Sequence, residues 1–101
     1  MKKNIFLFSF FCFVLFSFAP SEPSYHIALL KYSGGGDWYA NPTSLPNLIR
    51  FCNSHINTTI NPKPATVDPS SPDLFSYSFT HMTGHGNVVF SESDVVNVQK
   101  Y

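Results

Sequence analysis

The chain has 101 residues, 17% of them aromatic, with six basic and six acidic side chains and no formal net charge. That length holds one small domain, and the balanced charge leaves no electrostatic footprint for nucleic acid or an anionic membrane surface. Composition is uneven along the chain: Phe6, Phe8, Phe10, Phe11, Phe13, Phe16 and Phe18 all precede Pro20. The remaining stretch of about 80 residues carries Lys31, Arg50, Lys63 and Lys100 against Glu22, Asp37, Asp68, Asp73, Glu92 and Asp94. It is short for burying a large core and marginal by itself.

The first segment reads as an address. Met1, Lys2 and Lys3 form a positive start, Ile5 to Phe18 is a nearly unbroken apolar run, and Ser17-Phe18-Ala19 offers the small residues that a signal peptidase reads. An apolar run of about 14 residues falls short of the roughly 20 that a spanning helix needs. Residues 1–21 are therefore expected to be a secretory signal peptide and residues 22–101 an exported chain, periplasmic or extracellular, with no stable membrane span after cleavage. Cys12 leaves with the leader and lacks the setting of a lipoprotein site. Cys52 then stands alone, so no internal disulfide is expected, although exported domains of this size are often stapled by them.

Tyr25 to Tyr32 is a β-run with a continuous apolar centre, as expected of a strand covered on both faces. Ser33-Gly34-Gly35-Gly36-Asp37 ends it. Asn41-Pro42-Thr43-Ser44 supplies helix-start chemistry, and Leu45, Leu48, Ile49, Cys52 and Ile56 form one apolar helical stripe. On that stripe Cys52 reads as a core thiol. Ala65-Thr66-Val67 is a short strand pinned by prolines, Ser71 to Phe75 a single capped helical turn, and Phe79 to Thr83 a third strand. Ser91 and Asp94 have the spacing of a capping box, and Val95, Val96 and Val98 open another apolar stripe. This is a βαβ-type opening with a parallel sheet. Three strands and one and a half helices do not cover both faces of such a sheet, so the sequence is expected to be the N-terminal half of a larger α/β domain.

Two loops share a placement. Gly34 to Tyr39 follows the first strand and Gly84 to Asn87 follows the third, and in an open parallel sheet both lie at the strand carboxyl ends, where ligands bind. The residues expected to line such a cleft are Gly35, Gly36, Asp37, Trp38, Tyr39, Thr83, Gly84, His85 and Gly86. Glycine amides there can approach an anion or oxyanion, Trp38 and Tyr39 offer stacking surfaces, and Asp37 and His85 can hydrogen-bond or exchange protons. The same residues admit plain structural readings: a tight turn, aromatics packed over the sheet edge, and a histidine capping the next segment. No Lys-Ser/Thr pair follows the glycines, so this is not a P-loop. His81, His85 and Asp37 would need folding to converge on a metal; we expect no metal site and no cofactor. No G-x-S-x-G elbow or Gly-flanked Cys is present, so the catalytic residues of any enzyme here are unknown. Asn57-Thr58-Thr59 matches a glycosylation acceptor, relevant only in a eukaryotic source.

The run Tyr32-Ser33-Gly34-Gly35-Gly36-Asp37-Trp38-Tyr39 through Leu48, with Tyr77 to Phe79 and Met82-Thr83-Gly84-His85-Gly86-Asn87, resembles the bacterial family called domain of unknown function 4159. The similarity runs from about Tyr25 to Tyr101. The resemblance implies an exported or envelope-associated protein with a flavodoxin-like α/β fold, similar to the class I glutamine amidotransferase superfamily. It also implies that the chain continues beyond the helix starting at Ser91, and that any nucleophile lies on a later elbow. By that analogy Gly84 to Gly86 occupy the place of an oxyanion-binding loop. Thr80-His81 departs from the more apolar pair expected in that strand. Three functions stay open: a domain binding a small polar ligand, a hydrolase or amidotransferase-like enzyme with a downstream nucleophile, and an envelope interaction module with a partner completing its sheet.

Overall fold

A computed structural model describes residues 22–101; the expected signal peptide lies outside them. Three short strands, β1 (Ile27–Leu30), β2 (Ala65–Val67) and β3 (Phe79–His81), form one sheet in the order β2-β1-β3. Both pairings are parallel, with Leu29 opposite Thr66 on one side and His81 on the other. Helix α1 (Ser44–His55) joins β1 to β2, a 3₁₀ turn (Pro72–Ser76) lies between β2 and β3, and helix α2 (Glu92–Lys100) follows β3. The fold class is α/β.

The strands are shorter than the apolar runs that mark them. β2 is flanked by Pro64 and Pro69, which cannot donate to a ladder, and β1 pairs with it over Ala28 to Leu30 and with β3 over Ile27 to Leu29. Beyond it the chain makes isolated bridges, Tyr25 with Ile60 and Ser33 with Val89. β3 stops at His81, two residues earlier than its sequence suggests, because Tyr32 and not a strand partner takes up the Thr83 carbonyl.

Alternation along β1 divides the core in two. Ile27 meets Leu45 and Ile49 of α1, with Ile60 beside them. Ala28 and Leu30 face the other way, against Val67 and Leu74 of the 3₁₀ turn. On α1 only Leu45 and Ile49 are buried. The expected stripe is thus narrower than its spacing implied: Cys52 is half-buried and Leu48 and Ile56 are exposed. Leu48, three residues after Leu45 and four before Cys52, lies on the flank of the stripe away from Ile49 and is left exposed. Pro46 is tolerated because it falls in the first turn, where its missing N–H costs no helical bond.

α2 begins with a complete capping box. The Ser91 hydroxyl accepts from the Asp94 N–H and the Asp94 carboxylate accepts from the Ser91 N–H. That backbone bond holds the buried Asp94 carboxyl below its ordinary value. The helix is tied to the rest of the domain through polar groups: Asn97 Nδ2 donates to the carbonyls of Pro69 and Ser71, and the Tyr101 hydroxyl to the carbonyl of Tyr77. Val95, Val96 and Val98 are exposed, so the stripe expected on this helix is not buried among the described residues. Among those residues, too, no helix is long and apolar enough to cross a membrane.

Burying an isoleucine contributes about 1.5–3 kcal/mol, and Ile49 is fully buried. Ile49→Ala should therefore cost about 2–5 kcal/mol. Leu48→Ala, on the exposed flank of the same helix, should cost under about 0.5 kcal/mol. Denaturant midpoints of the natively produced protein check both. Eight buried apolar side chains form the core of the described residues. Residues 22–101 made alone should therefore melt without a sharp cooperative transition; a single calorimetric peak would contradict this.

Candidate functional site

In the order β2-β1-β3, the chain runs from β1 through α1 to one edge and then crosses from β2 to the other edge at β3, which puts the topological switch point between the carboxyl ends of β1 and β3. The two glycine loops flank that point, and they are stitched to each other. Val89 N–H donates to the Ser33 carbonyl (2.8 Å), Gly36 N–H to the Asn87 carbonyl (3.0 Å) and Asp37 N–H to the His85 carbonyl (3.1 Å). The His85 N–H returns a bond to the Asp37 carboxylate. The result is a short antiparallel ladder between two loops.

Tyr32 explains why these loops need glycine. Its ring is buried and its hydroxyl donates to the Thr83 carbonyl at 2.9 Å. A Cβ on Gly36 would come within 2.8 Å of the Tyr32 ring, and one on Gly84 would collide with its hydroxyl. Gly84 also has φ +130°, which side-chain-bearing residues rarely adopt. Gly35, at φ +84°, has open space around it. Tyr32 carried no expectation of a role in the site. Its signal was an aromatic placed just ahead of a glycine run.

The nine expected residues divide by what their groups already hold. Backbone groups of Gly36, Asp37 and His85, with the Asp37 carboxylate, are spent on joining the loops. Gly84 and Gly86 supply positive-φ backbone for the second loop. Side chains of Trp38, Tyr39 and His85 remain outside the ladder. Trp38 is half-buried, with the Lys31 ammonium 5.8 Å from its ring centroid and the Tyr39 ring edge-on at 5.5 Å, a geometry that favours both contacts. The His85 side chain is 87% exposed, and its Nδ1 lies 3.4 Å from Asp37 Oδ2. That distance is long for a hydrogen bond but within ion-pair range. It aims Nδ1 at a carboxylate and leaves Nε2 to solvent. The His85 N–H bond holds the Asp37 carboxyl below its ordinary value; partial burial opposes it, and the His85 side chain adds to the lowering.

Beside the loops is a cleft of about 280 Å³ on the α1 face of the sheet. Leu29, Thr66 and His81, one row across the three strands, lie on its sheet side. Asn41, Pro42, Ser44 and Leu45 form the wall from the start of α1, and Tyr39 and Thr83 join it from the two loops. Of the expected set, then, Tyr39 and Thr83 line the cleft, while Asp37 lies two residues before Tyr39 and His85 two residues after Thr83. The cleft exists because α1 places Leu45 and Ile49 over Ile27 and leaves the next row, at Leu29, half-covered. Reading β1 as covered on both faces hid it. Among the described residues no three His, Cys, Asp or Glu side chains come together as a metal would require.

Gly84→Ala should cost about 2–4 kcal/mol, from positive φ and collision together. Gly35→Ala should cost about 1 kcal/mol, from backbone conformation alone. Comparing their denaturant midpoints separates turn geometry from close approach. Asp37 is the usual lowered-carboxylate case: its contribution is present above the unfolded pKa and is lost as pH falls through the folded value. The His85 amide proton resonance should therefore titrate with a midpoint below 3.8, the ordinary aspartate value. A midpoint at or above it would contradict the loop clamp.

No curated protein and no solved structure matches the chain significantly. The family described as domain of unknown function (DUF4159) matches residues 26–101, which takes in every strand and helix described above and both glycine loops. The chain belongs to the DUF4159 family.

Proposed function

We propose that this chain is an exported, flavodoxin-like α/β module that binds a small polar ligand at the carboxyl ends of its strands. The observation that carries the reading is the Asp37–His85 pair at the switch point, where one loop orients an exposed imidazole supplied by the other. Cross-linking the loops sets the positions of Tyr39 and Thr83 at the cleft before any ligand arrives, which lowers the ordering cost of binding. In this reading Gly36, Asp37, Gly84 and Gly86 hold the frame, while Gly35, Trp38, Tyr39, Thr83 and His85 meet the ligand.

Trp38 is the chain's single tryptophan and adjoins the cleft through Tyr39, so it reports occupancy. Titrating the natively produced protein with sugars, nucleotides and carboxylates should quench its fluorescence for one class. Trp38→Ala should abolish the signal, and His85→Ala should weaken binding about tenfold. A flat response to all three classes would count against a ligand site.

The Asp37–His85 geometry favours one second reading. An aspartate that holds Nδ1 while Nε2 stays free is the base-orienting half of a nucleophilic triad. In a hydrolase or amidotransferase-like enzyme this pair would serve a nucleophile outside residues 22–101. Turnover of an activated ester that His85→Ala abolishes, with quenching intact, would favour it. An envelope interaction role rests on different residues: β3 pairs on one side only among the described residues, and Phe79 and Met82 are exposed along it. A further strand on that edge would complete the sheet.

A further inference from the structure

The chemistry of the cleft over Leu29, Thr66 and His81 narrows the ligand further, and the step rests on the ligand-binding reading above. No Lys, Arg, Asp or Glu lines it. A charged ligand would leave water there without a counter-charge, which is costly. The first turn of α1 offers little to an anion: the Ser44 N–H and hydroxyl both bond the Asn41 carbonyl, and Pro46 has no N–H. A wholly apolar ligand fits no better, because it would strip water from His81, Thr66, Thr83 and Asn41 along the same walls. Between those polar groups are Leu29, Pro42, Leu45 and Pro64, and the Tyr39 ring stands 64% exposed beside them.

What satisfies both sets of groups is a neutral ring with one apolar face and hydroxyls around its edge. We propose that the cleft takes an uncharged sugar, a single hexose unit. One face of the ring lies against Leu29 and Tyr39, and its hydroxyls meet the imidazole of His81 and the hydroxyls of Thr66 and Thr83. The volume, about 280 Å³, is at the small end for ligand sites and suits one ring better than an oligomer. His81, at the end of β3, brings to the cleft a group that can both donate and accept, as sugar hydroxyls require. Asp37 and His85 lie outside this cleft, so they make a second, separable contact region.

Calorimetric titration of the natively produced protein with methyl glucoside, methyl galactoside, gluconate and inorganic phosphate tests the assignment. One neutral glycoside should bind at least tenfold tighter than gluconate or phosphate. Tyr39→Ala and His81→Ala should each weaken it about tenfold, and Thr66→Phe, an exposed edge-strand position where an aromatic is well tolerated, should abolish it by filling the cleft. Arg50→Ala, at an exposed position of α1 outside the cleft, should leave the glycoside affinity unchanged. Gluconate or phosphate binding that quenches Trp38, depends on His85 and ignores Thr66→Phe would overturn the sugar assignment while leaving the ligand site at the loops standing. No binding by any of the four probes overturns the sugar assignment; if Trp38 also stays unquenched across the wider ligand classes, the ligand-binding reading falls with it.

Discussion

The geometry at the functional end of this domain depends on the ladder between the loops after β1 and β3. Four backbone N–H groups are satisfied across it, and one of them bonds a carboxylate. Without those bonds the Gly34–Gly36 segment has no fixed path, because glycine loses more backbone freedom on ordering than any other residue. Tyr32 supplies the complementary constraint from below: its ring fills the space where Cβ atoms at Gly36 and Gly84 would otherwise sit. Close approach and hydrogen bonding reinforce each other, since the loops can reach each other's backbone only where side chains are absent. The two positions that face Tyr32 are glycines for this reason, whatever the ligand.

The sheet determines where this happens. Parallel strands in the order β2-β1-β3 separate their connections at the β1/β3 carboxyl ends, and that separation creates a crevice. α1 is short of filling it because its buried contacts, Leu45 and Ile49, are centred on Ile27. Packing and site are thus linked: the row that α1 fails to cover becomes the side of the cleft. A helix shifted by one turn toward the strand carboxyl ends would bury Leu29 and leave no cleft. The other face shows the same economy, with Leu74 of a single 3₁₀ turn standing in for a full helix against Ala28 and Leu30.

Much of this was legible from residue order. The position of the helix start just before Leu45, where Thr43 makes no side-chain capping bond, the capping box at Ser91, the proline-bounded Ala65–Val67 strand and the parallel βαβ opening all rest on local rules, and local rules fix which element forms. The placement of both glycine loops at one end of the sheet followed from topology. What could not be read was which groups would be consumed. A glycine amide looks the same in sequence whether it faces a ligand or another loop, and the difference lies in a partner about 50 residues away. Coverage was misjudged for a related reason. The apolar stripes on α1 and α2 were read from spacing, but burial depends on a facing surface. Leu48, Ile56 and Val96 stay exposed among the described residues.

The division between consumed and free groups also bears on how such a motif should be interpreted. Gly-Gly-Gly-Asp-Trp-Tyr and Met-Thr-Gly-His-Gly form a unit because each satisfies the other's backbone, so their joint presence in one chain is required by folding before any chemistry is considered. Function has to be sought in what that requirement leaves over. The leftover side chains are few: the Trp38 and Tyr39 rings, the Thr83 hydroxyl and the His85 imidazole. Asp37 sits on the boundary, since one carboxylate oxygen holds a loop while the other faces the imidazole. A group so placed ties loop structure to the position of a neighbouring side chain. Any ligand that engages His85 therefore acts on the same carboxylate that holds the two loops together.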